Sequence, residues 1–515
     1  MVSTVTTAAI CGIEARRVSV EADISSGLPC FVMVGFLGSE VKEAQDRVRT
    51  ALVNSGFRMP SARVTVSLSP ADLRKSGSWF DLPIAVAVLG AMGVVPPVMD
   101  DIMMAGELGL TGSVRPVRGI MEMVCRSADF GCRSCIIPLE NLDEGACIPG
   151  RQVMGAGSLR EVIGYLTGDG FLKGASYDPD MPLPEKDHDQ PDFRELKGQP
   201  LLRRAAEIAV SGFHNMLMIG PPGSGKSMTA RRLPSIMPGI TREEAVEITR
   251  IHSVAGVLPE GSGLITQRPF RAPHHTATSA SFAGGGNYPG PGEISLAHGG
   301  ILYLDELPLF KTEVLETLRQ PLEEGKITIC RIQGDYTFPA HFILAAAMNP
   351  CRCGFFPDRT KCRCTSADVR KYLEHISRPL LDRIDLCAET GLPAYEELRT
   401  ADPGEDSASI RSRVEAARKI QSERYKDTPF RFNGDLTGAG VERYCRLGKE
   451  SEKLLAGAYR KFSLTGRGCI RVLKVARTIA DLEGADEISC DHLAEALGYR
   501  MADQRLWQAE GDFAG

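Results

Sequence analysis

Residues 214–227 read HNMLMIGPPGSGKS, and this stretch decides how the rest of the chain is interpreted. Residues 215–219 form a short apolar run, which is typical of a buried parallel strand. Residues 220–227 match the phosphate-loop pattern G-x-x-x-x-G-K-[ST] in full, and residues 228–233 open a helix. In such a unit the glycines let backbone N–H groups close on phosphates, the helix N-terminus adds partial positive charge, and the lysine reaches the β- and γ-phosphates. We therefore expect the chain to bind a nucleoside triphosphate. The predicted phosphate-binding residues are Gly220, Pro221, Pro222, Gly223, Ser224, Gly225, Lys226 and Ser227.

A second nucleotide motif follows at residues 300–306, GILYLDE. Its apolar residues predict a buried strand, and two acidic residues stand where that strand ends. We expect the hydroxyl of Ser227 to bind Mg²⁺ and Asp305 to hold the ion through a water molecule. Glu306 is the predicted group that polarises the water attacking the γ-phosphate. An apolar run before Asp-Glu is weak evidence for a nucleotide site on its own. When it follows a phosphate loop, it strongly indicates an ATPase that uses ATP and Mg²⁺.

Residues 327–339 predict a β-hairpin that turns at Gln333-Gly334-Asp335. Residues 341–349 then predict a further buried strand, HFILAAAMN, which ends in a polar residue. Asn349 is therefore well placed to position the lytic water.

Two arginines are candidates for contacts with the nucleotide from outside the sheet. Arg383 precedes a predicted strand and suits a finger supplied in trans to the nucleotide of a neighbouring subunit, although a salt bridge with Asp382 or Asp385 is the alternative. Arg467 stands at the start of a predicted helix, from which it can reach the nucleotide from above. A solvated helix start is the alternative for Arg467, and Arg471 is the second candidate.

Four of the fifteen cysteines lie within fourteen residues, as C-x-C, eight residues, C-x-C. Four thiolates can close a tetrahedral structural zinc site, although C-x₂-C is the more usual spacing. The alternative is a surface loop with four reduced cysteines. We favour zinc, with the ligands Cys351, Cys353, Cys362 and Cys364.

The composition is that of an ordinary globular protein. The chain has 515 residues, of which 43% are hydrophobic and 24% charged, and this length favours about three domains. The net charge of −5 gives no global nucleic-acid signal, so a DNA partner must meet a local basic surface. There is no secretory cysteine framework or N-terminal signal, and no uncharged apolar stretch reaches the roughly 18 residues of a membrane span. We expect a cytoplasmic protein with no membrane partner.

Residues 1–168 predict an α/β domain of their own, including a hairpin at residues 106–117 with a Thr-Gly turn. The order of its elements resembles the Lon-protease-type domain found in Lon, in RadA and at the front of some magnesium-chelatase-like ATPases. At the positions where Lon has its nucleophilic serine and its lysine, this chain has Trp79 and Met121. A Ser–Lys dyad needs a hydroxyl beside an amine of lowered pKa. We therefore interpret this domain as a catalytically dead scaffold or docking surface.

Other segments fill out the organisation. Residues 169–192 are rich in Pro, Asp and Gly and predict a linker. Residues 267–292 are so rich in Gly and Pro that we expect a loop with no regular element. His274 and His275 within this loop are expected to pack or hydrogen-bond rather than to bind metal. Residues 396–515 predict a set of helices.

Taken together, the motifs resemble those of AAA+ ATPases of the magnesium-chelatase-like branch, and more narrowly the family that contains YifB and the competence protein ComM. The matching runs are RPFRAPHHT, PGEISLAHGGILYLDELP, LRQPLEEG, AAMNPC-x-CG and LKVARTIADLEG. Ser227, where threonine is commoner, and Arg378, where glycine is commoner, depart from the family. Arg378 is therefore a second possible finger beside Arg383.

The resemblance implies an α/β fold in four parts. These are a Lon-type (S5-like) domain at 1–168, the linker at 169–192, an AAA+ core with a parallel sheet at 193–395, and a helical lid at 396–515. It also implies a hexameric ring that hydrolyses ATP to move on single-stranded or branched DNA, in branch migration during recombination and natural transformation. Such rings turn the glycine-rich insert and the hairpin toward their pore, where four basic residues are candidate phosphate contacts: Arg268, Arg271, Lys326 and Arg331.

Two other functions compete with the DNA motor. A chelatase-type or chaperone-type ATPase would remodel a protein partner, but the chelatase subunit lacks the front domain and needs a partner with a metal-binding domain that is not fused here. An ATP-dependent protease is disfavoured by Trp79 and Met121.

Overall fold

The computed structural model describes residues 2–175, 177, 191–259, 261–286, 289–331, 334–399 and 404–507. Most of the predicted linker, residues 176 and 178–190, therefore lies outside the described residues, as do residues 287–288 of the glycine-rich insert and 332–333 of the hairpin turn. The predicted fold class is confirmed: the chain is mixed α/β, with a parallel sheet in its middle and helices at its C-terminal side.

The front part of the chain is built on an eight-stranded mixed sheet. Its strands are β1 (Ser3–Cys11), β2 (Glu14–Ser25), β3 (Cys30–Val34), β4 (Arg63–Ser69), β5 (Val98–Met104), β8 (Ser134–Pro138), β9 (Gln152–Ala156) and β10 (Lys173–Ala175). The order across the sheet is β10-β9-β8-β5-β1-β2-β4-β3. A separate two-stranded ribbon, β6 (Glu107–Leu108) with β7 (Val114–Arg115), is the predicted hairpin with its Thr-Gly turn. This prediction is confirmed.

The helices of the front part cover the sheet because their apolar faces need a partner. They are α1 (Ser39–Asn54), α2 (Asp81–Ala91), α3 (Ile120–Arg126), α4 (Leu142–Gly145) and α5 (Leu159–Thr167). Trp79 and Met121 are both buried in this core, and the Trp79 indole N–H donates to the carbonyl of Ala8 at 2.8 Å. Both side chains at the Lon-type positions are therefore packing residues.

The central part contains a five-stranded sheet in which every neighbouring pair is parallel. The strands are β11 (Met216–Ile219), β12 (Phe270–Arg271), β15 (Ile301–Leu304), β18 (Ile343–Met348) and β19 (Leu386–Glu389). Their order is β12-β15-β18-β11-β19, which puts the phosphate-loop strand between β18 and β19. The helices around this sheet are α6 (Pro200–Gly212), α7 (Lys226–Ile236), α8 (Arg242–Ala255), α9 (Ser279–Ala283), α10 (Glu293–Leu296), α11 (Thr312–Glu316), α12 (Arg319–Glu324), α13 (Ser366–Leu373), α14 (Arg378–Leu381) and α15 (Tyr395–Arg399).

The expectation that residues 267–292 hold no regular element was wrong. Phe270 and Arg271 pair with Ile301 and Leu302 and so extend the parallel sheet at its edge. The glycines themselves form a short ladder, β13 (Gly284–Gly285) with β14 (Gly290–Pro291). The two strands approach so closely that a Cβ on Gly284 would lie 2.3 Å from the carbonyl oxygen of Gly290. Glycine therefore permits this ladder rather than preventing it.

The hairpin predicted before Asn349 is confirmed as β16 (Lys326–Arg331) and β17 (Gly334–Pro339). It lies apart from the main sheet, and its Phe338 side chain is buried in the apolar cluster on one face of that sheet.

Residues 404–507 contain five α-helices: α16 (Ser407–Arg424), α17 (Gly438–Tyr444), α18 (Lys449–Lys461), α19 (Gly466–Leu482) and α20 (Cys490–Trp507). Their apolar faces share one core with α6, α7 and one face of the parallel sheet. The Ser489 hydroxyl accepts from the backbone N–H of His492 at 3.2 Å and so caps α20. No helix in the described part of the chain is long and apolar enough to cross a bilayer.

A buried polar network ties these helices to the start of the phosphate-loop strand. The imidazole of His214 lies 2.7 Å from the Thr478 hydroxyl and 3.4 Å from Asp385. Asn433 donates to both Thr478 and Asp481, at 3.0 and 2.8 Å. Asp481 is completely buried and also accepts both Nη groups of Arg424, at 2.7 and 2.5 Å. Each of these buried polar groups is thus paired, which is the condition for a polar network to stabilise a core.

We expect the variant Asp481→Asn to lower the melting temperature measured by scanning calorimetry. Removing one partner of a buried ion pair leaves the other charge uncompensated and costs about 3–5 kcal/mol. Glu415→Gln, on the exposed face of α16, is the matched control and should change stability by less than about 0.5 kcal/mol. Equal melting temperatures for the two variants would show that the network contributes nothing to stability.

Candidate functional site

The candidate site lies at the carboxyl edge of the parallel sheet. The pairing of Ile219 with Met348 and of Leu304 with Ala346 brings the ends of β11, β15 and β18 to the same edge. Ligands of open parallel sheets bind at this edge. The phosphate loop, Asp305 and Asn349 each follow one of these strands directly.

The phosphate loop has the backbone shape that its glycines allow. Gly223 and Gly225 have φ values of 81° and 86°, a region that other residues seldom adopt. Lys226 begins α7, and its side chain folds back over the loop. The ammonium donates to the carbonyls of Gly220 and Pro221 at 2.7 and 2.9 Å and to Asn349 Oδ1 at 3.3 Å.

Burial lowers the pKa of Lys226 to about 8, and the nearby charge of Asp305 opposes this effect. A partly buried ammonium with only neutral acceptors has an unmet need for negative charge. This is the electrostatic state expected of a loop that receives phosphate oxygens.

Ser227 and Asp305 fit the two positions of a magnesium site. The Ser227 hydroxyl lies 3.0 Å from Asp305 Oδ2. The donor set, a hydroxyl and a carboxylate, is the oxygen set that Mg²⁺ prefers.

Glu306 adopts a left-handed backbone conformation, with φ of 52°, and its backbone N–H donates to Asp305 Oδ1 at 3.0 Å. Such a conformation is uncommon for a non-glycine residue and is enriched at functional sites. Together, Lys226, Asp305, Glu306 and Asn349 form one constellation around the phosphate loop.

The two finger candidates differ in their environment. The guanidinium of Arg383 pairs with Glu323 at 2.5 Å and its side chain is only 9% exposed, so the partner is neither Asp382 nor Asp385. Arg378, at the start of α14, is exposed. Glu323 lies 60 residues before Arg383, and no pattern in the sequence points to this pair.

The two lid candidates also separate. Arg467 is exposed in the first turn of α19 and forms no ion pair with a described residue. Arg471 is buried and donates to Asp382 at 3.1 Å and to the carbonyl of Ile384 at 3.2 Å. Arg471 therefore links the lid helix to the end of α14.

Two of the four basic residues that are candidates for the pore form ion pairs inside the subunit. The Arg268 side chain is 8% exposed and pairs with Glu244 at 2.8 Å, while it also donates to the carbonyls of Pro238 and Gly299. Arg271 makes two 2.7 Å bonds to Glu293. Lys326 and Arg331 on the hairpin are exposed, which leaves them as the accessible candidates. His274 Nδ1 lies 2.9 Å from the Thr276 hydroxyl, and its ring centroid lies 4.0 Å from that of the tilted His275 ring. Within the described residues neither histidine belongs to a cluster of metal-binding side chains.

The four predicted zinc ligands do come together. Their sulfur atoms all lie within 4.8 Å of one another, and Cys351 Sγ lies 3.3 Å from Cys353 Sγ and 3.7 Å from Cys362 Sγ. Sulfurs at the corners of a tetrahedron around Zn²⁺, with bonds of about 2.3 Å, would be roughly 3.8 Å apart. The backbone N–H of Phe355 lowers the pKa of Cys353 to about 6, whereas burial raises the pKa of Cys362 to about 12. The cluster thus has the size and the amide support of a thiolate metal site.

We expect Arg268→Ala to lower the melting temperature by several degrees, because it leaves Glu244 without its buried partner at a cost of about 3 kcal/mol. Arg331→Ala on the exposed hairpin is the matched control and should leave the melting temperature unchanged. An Arg268→Ala protein as stable as the control would contradict the structural role and return Arg268 to the phosphate-contact candidates.

Three family models match the chain. The model described as "Magnesium chelatase, subunit ChlI" covers residues 192–398, "Subunit ChlI of Mg-chelatase" covers 20–141, and "Magnesium chelatase, subunit ChlI C-terminal" covers 404–500. These matches span the phosphate loop, Asp305, Asn349 and the cysteine cluster.

Full-length relatives agree with these matches. The chain is 41% identical to the uncharacterized protein YifB of Escherichia coli, over 98% of both chains. It is also 41% identical to the competence protein ComM of Haemophilus influenzae, over 95% of both. A 38 kDa magnesium-chelatase subunit of Rhodobacter capsulatus is 24% identical over 62% of this chain and 89% of its own length. The chain belongs to the magnesium-chelatase-like AAA+ family that includes YifB and ComM.

Proposed function

We propose that this chain is an ATP-hydrolysing ring motor that acts on DNA, as a branch-migration helicase in recombination and natural transformation. The observation that carries the ATPase part is the convergence of Lys226, Ser227, Asp305, Glu306 and Asn349 at one sheet edge. The DNA part is supported by the near full-length similarity to a competence protein, since competence is the uptake of DNA.

The roles of the residues follow from their chemistry. The loop N–H groups and Lys226 bind the phosphates, while Ser227 and Asp305 hold Mg²⁺. When bound, Mg²⁺ neutralises charge on the β- and γ-phosphates. Glu306 accepts a hydrogen bond from the attacking water and polarises it. Asn349, already bonded to Lys226, orients that water against the γ-phosphate.

Assembly into a hexameric ring supplies the remaining charge. In this proposal an arginine from the neighbouring subunit, Arg383 or Arg378, stabilises the transition state in trans. Arg383 must first break its ion pair with Glu323 before it can bind a phosphate, whereas the side chain of Arg378 is already exposed. Arg467 on the lid approaches the nucleotide from the opposite side.

DNA is proposed to meet the exposed basic residues of the hairpin, Lys326 and Arg331. The net charge of −5 requires such a local basic surface. Because all fifteen cysteines, each within the described residues, are unpaired thiols, we also propose a reducing, cytoplasmic location.

Forked DNA should strongly stimulate ATP hydrolysis by the purified protein, because a translocating motor turns over fastest on its track. Glu306→Gln should retain nucleotide binding and lose hydrolysis by about 10²–10⁴-fold. Glu313→Gln, an exposed glutamate on the neighbouring helix α11, should hydrolyse ATP like the wild type.

The same assay separates the second candidate function, an ATPase that remodels a protein partner. Three chelatase-subunit family matches favour this alternative. Hydrolysis that forked DNA leaves unchanged would contradict the motor and favour a protein client. A peptidase function is not proposed, since Trp79 and Met121 stand at the Lon-type positions.

We further propose that Cys351, Cys353, Cys362 and Cys364 hold a structural zinc ion. Four protein thiolates fill all four positions of a tetrahedral site, so no position remains for substrate. The close sulfur cluster is the observation in support.

Metal analysis of purified protein should find one zinc per chain, and Cys351→Ser should lose it, because three thiolates bind zinc far more weakly than four. Cys30→Ser, an exposed cysteine on β3, is the matched control and should keep its zinc. Protein purified without any bound zinc, and unable to take it up, would contradict the site.

A further inference from the structure

The cysteine cluster grows directly out of the nucleotide site. Asn349 is the first residue after β18, and the proposed zinc ligand Cys351 lies only two residues further along the chain. The ligand Cys353 is followed immediately by Gly354. Asn349, before these two cysteines, and Gly354, after them, both contact the phosphate loop.

The first contact is steric. Gly354 has a φ of 87°, and a Cβ added to it would lie 2.5 Å from Pro222 Cδ and 3.1 Å from Pro222 Cγ. The backbone of the cysteine loop therefore lies against the proline ring of the phosphate loop, with no room for a side chain between them.

The second contact is polar. Asn349 Oδ1 accepts a hydrogen bond from the Lys226 ammonium at 3.3 Å. A Cβ on Gly354 would also lie 3.8 Å from the Asn349 side-chain carbon Cγ, so the two contacts belong to one packed unit. That unit comprises Pro222, Lys226, Asn349 and Gly354.

The path of this loop depends on what holds the four sulfurs together. Residues 352–365 contain three hydrogen-bonded turns, which close at Gly354, at Asp358 and at Lys361–Cys362, and no strand or helix of their own. Once deprotonated, sulfurs within 4.8 Å of one another repel unless a cation lies between them. A metal in the cluster would thus fix the position of Gly354 against Pro222 and of Asn349 against Lys226.

We propose that zinc in the cysteine cluster positions the phosphate loop, so that zinc binding and nucleotide binding are energetically coupled. This inference rests on the proposed nucleotide and zinc sites. Gly354 and Pro222 are positioning residues, because they act through the loop. Since coupling between two sites is reciprocal, nucleotide must strengthen zinc binding by the same factor by which zinc strengthens nucleotide binding.

The test uses the full chain and measures both the effect of zinc on nucleotide affinity and the effect of nucleotide on zinc affinity. The affinity for a fluorescent ADP analogue is measured on zinc-loaded protein and on protein stripped with a chelator, whose folding is checked by circular dichroism. The affinity for zinc is measured by competition with a chromophoric chelator, with and without ADP. We expect zinc to tighten nucleotide binding by about 5-fold or more, within the usual range of allosteric coupling, and ADP to tighten zinc binding equally.

Pro222→Ala tests the contact itself, because it removes the ring atoms that touch Gly354 and leaves all four cysteines in place. This variant should keep its zinc and show a smaller coupling factor than the wild type. Pro259→Ala, in an exposed loop, is the matched control and should couple as the wild type does. The chelator competition needs no zinc-free protein, so it remains decisive if the stripped chain unfolds.

Three results would overturn the inference, and each is distinguishable. Zinc affinity that ADP does not alter refutes the coupling while leaving both sites intact. Protein that holds no zinc but binds the ADP analogue refutes the zinc site, and with it the coupling, while the proposed ATPase function stands. Zinc-loaded protein that binds no nucleotide refutes the proposed function itself.

Discussion

The parallel register of β11 between β18 and β19 is the constraint on which the rest of the site depends. Ile219 pairs with Met348 on one side and with Glu389 on the other. Since side chains alternate between the two faces, a slip of one residue would turn the apolar residues of β11 from one face to the other. It would also move Asn349 away from Lys226. Burial on both faces, where Met216, Leu217 and Met218 are fully covered, makes such a slip costly.

The lid shares the core of this sheet, and the buried network around Asp481 links the two through side chains. His214 stands two residues before β11 and contacts Thr478 of α19, so the strand that carries the phosphate loop begins at a lid contact. The lid is therefore packed on the strand that leads into the loop. A rearrangement between core and lid must break paired buried groups, each of which costs free energy when it is left unpaired.

The sequence predicted the parts of the site whose chemistry is local, and it missed those that depend on folding. Lys226, Ser227, Asp305 and Asn349 were identified because each follows an apolar strand, and parallel strands deliver their ends to one edge. The pairs Arg268–Glu244 and Arg383–Glu323 join residues far apart in the chain, so no spacing pointed to them.

The glycine-rich insert was misread for a related reason. Glycine lowers strand propensity on average, but it also allows two backbones to approach where no side chain fits. Whether a glycine disrupts a strand or allows close pairing depends on whether another strand lies beside it, and this is determined by the tertiary fold. Gly284 is beside Gly290, and Gly354 is beside Pro222. In both cases a glycine permits close packing, and Gly284 lies in the segment that the sequence marked as irregular.

In the front domain, the segment around Met121 is held by buried carboxyl groups. The backbone N–H of Met121, at the position of the Lon-type lysine, donates to Glu144 at 2.9 Å, and Glu144 also accepts from Ser253 of α8 at 2.5 Å. The nearby carboxyl of Glu122 is fully buried, and burial raises its pKa while Arg250 of α8 opposes that rise.

Both carboxyls thus complete their hydrogen bonds only with partners from the ATPase core. A buried carboxylate that loses its partner costs several kcal/mol, so these contacts hold the front domain to α8 more firmly than apolar packing alone. The helix in question, α8, leads into the glycine-rich insert that flanks the site. The part of the front domain that corresponds to the Lon-type catalytic site is therefore, in this chain, the part that contacts α8 of the AAA+ core.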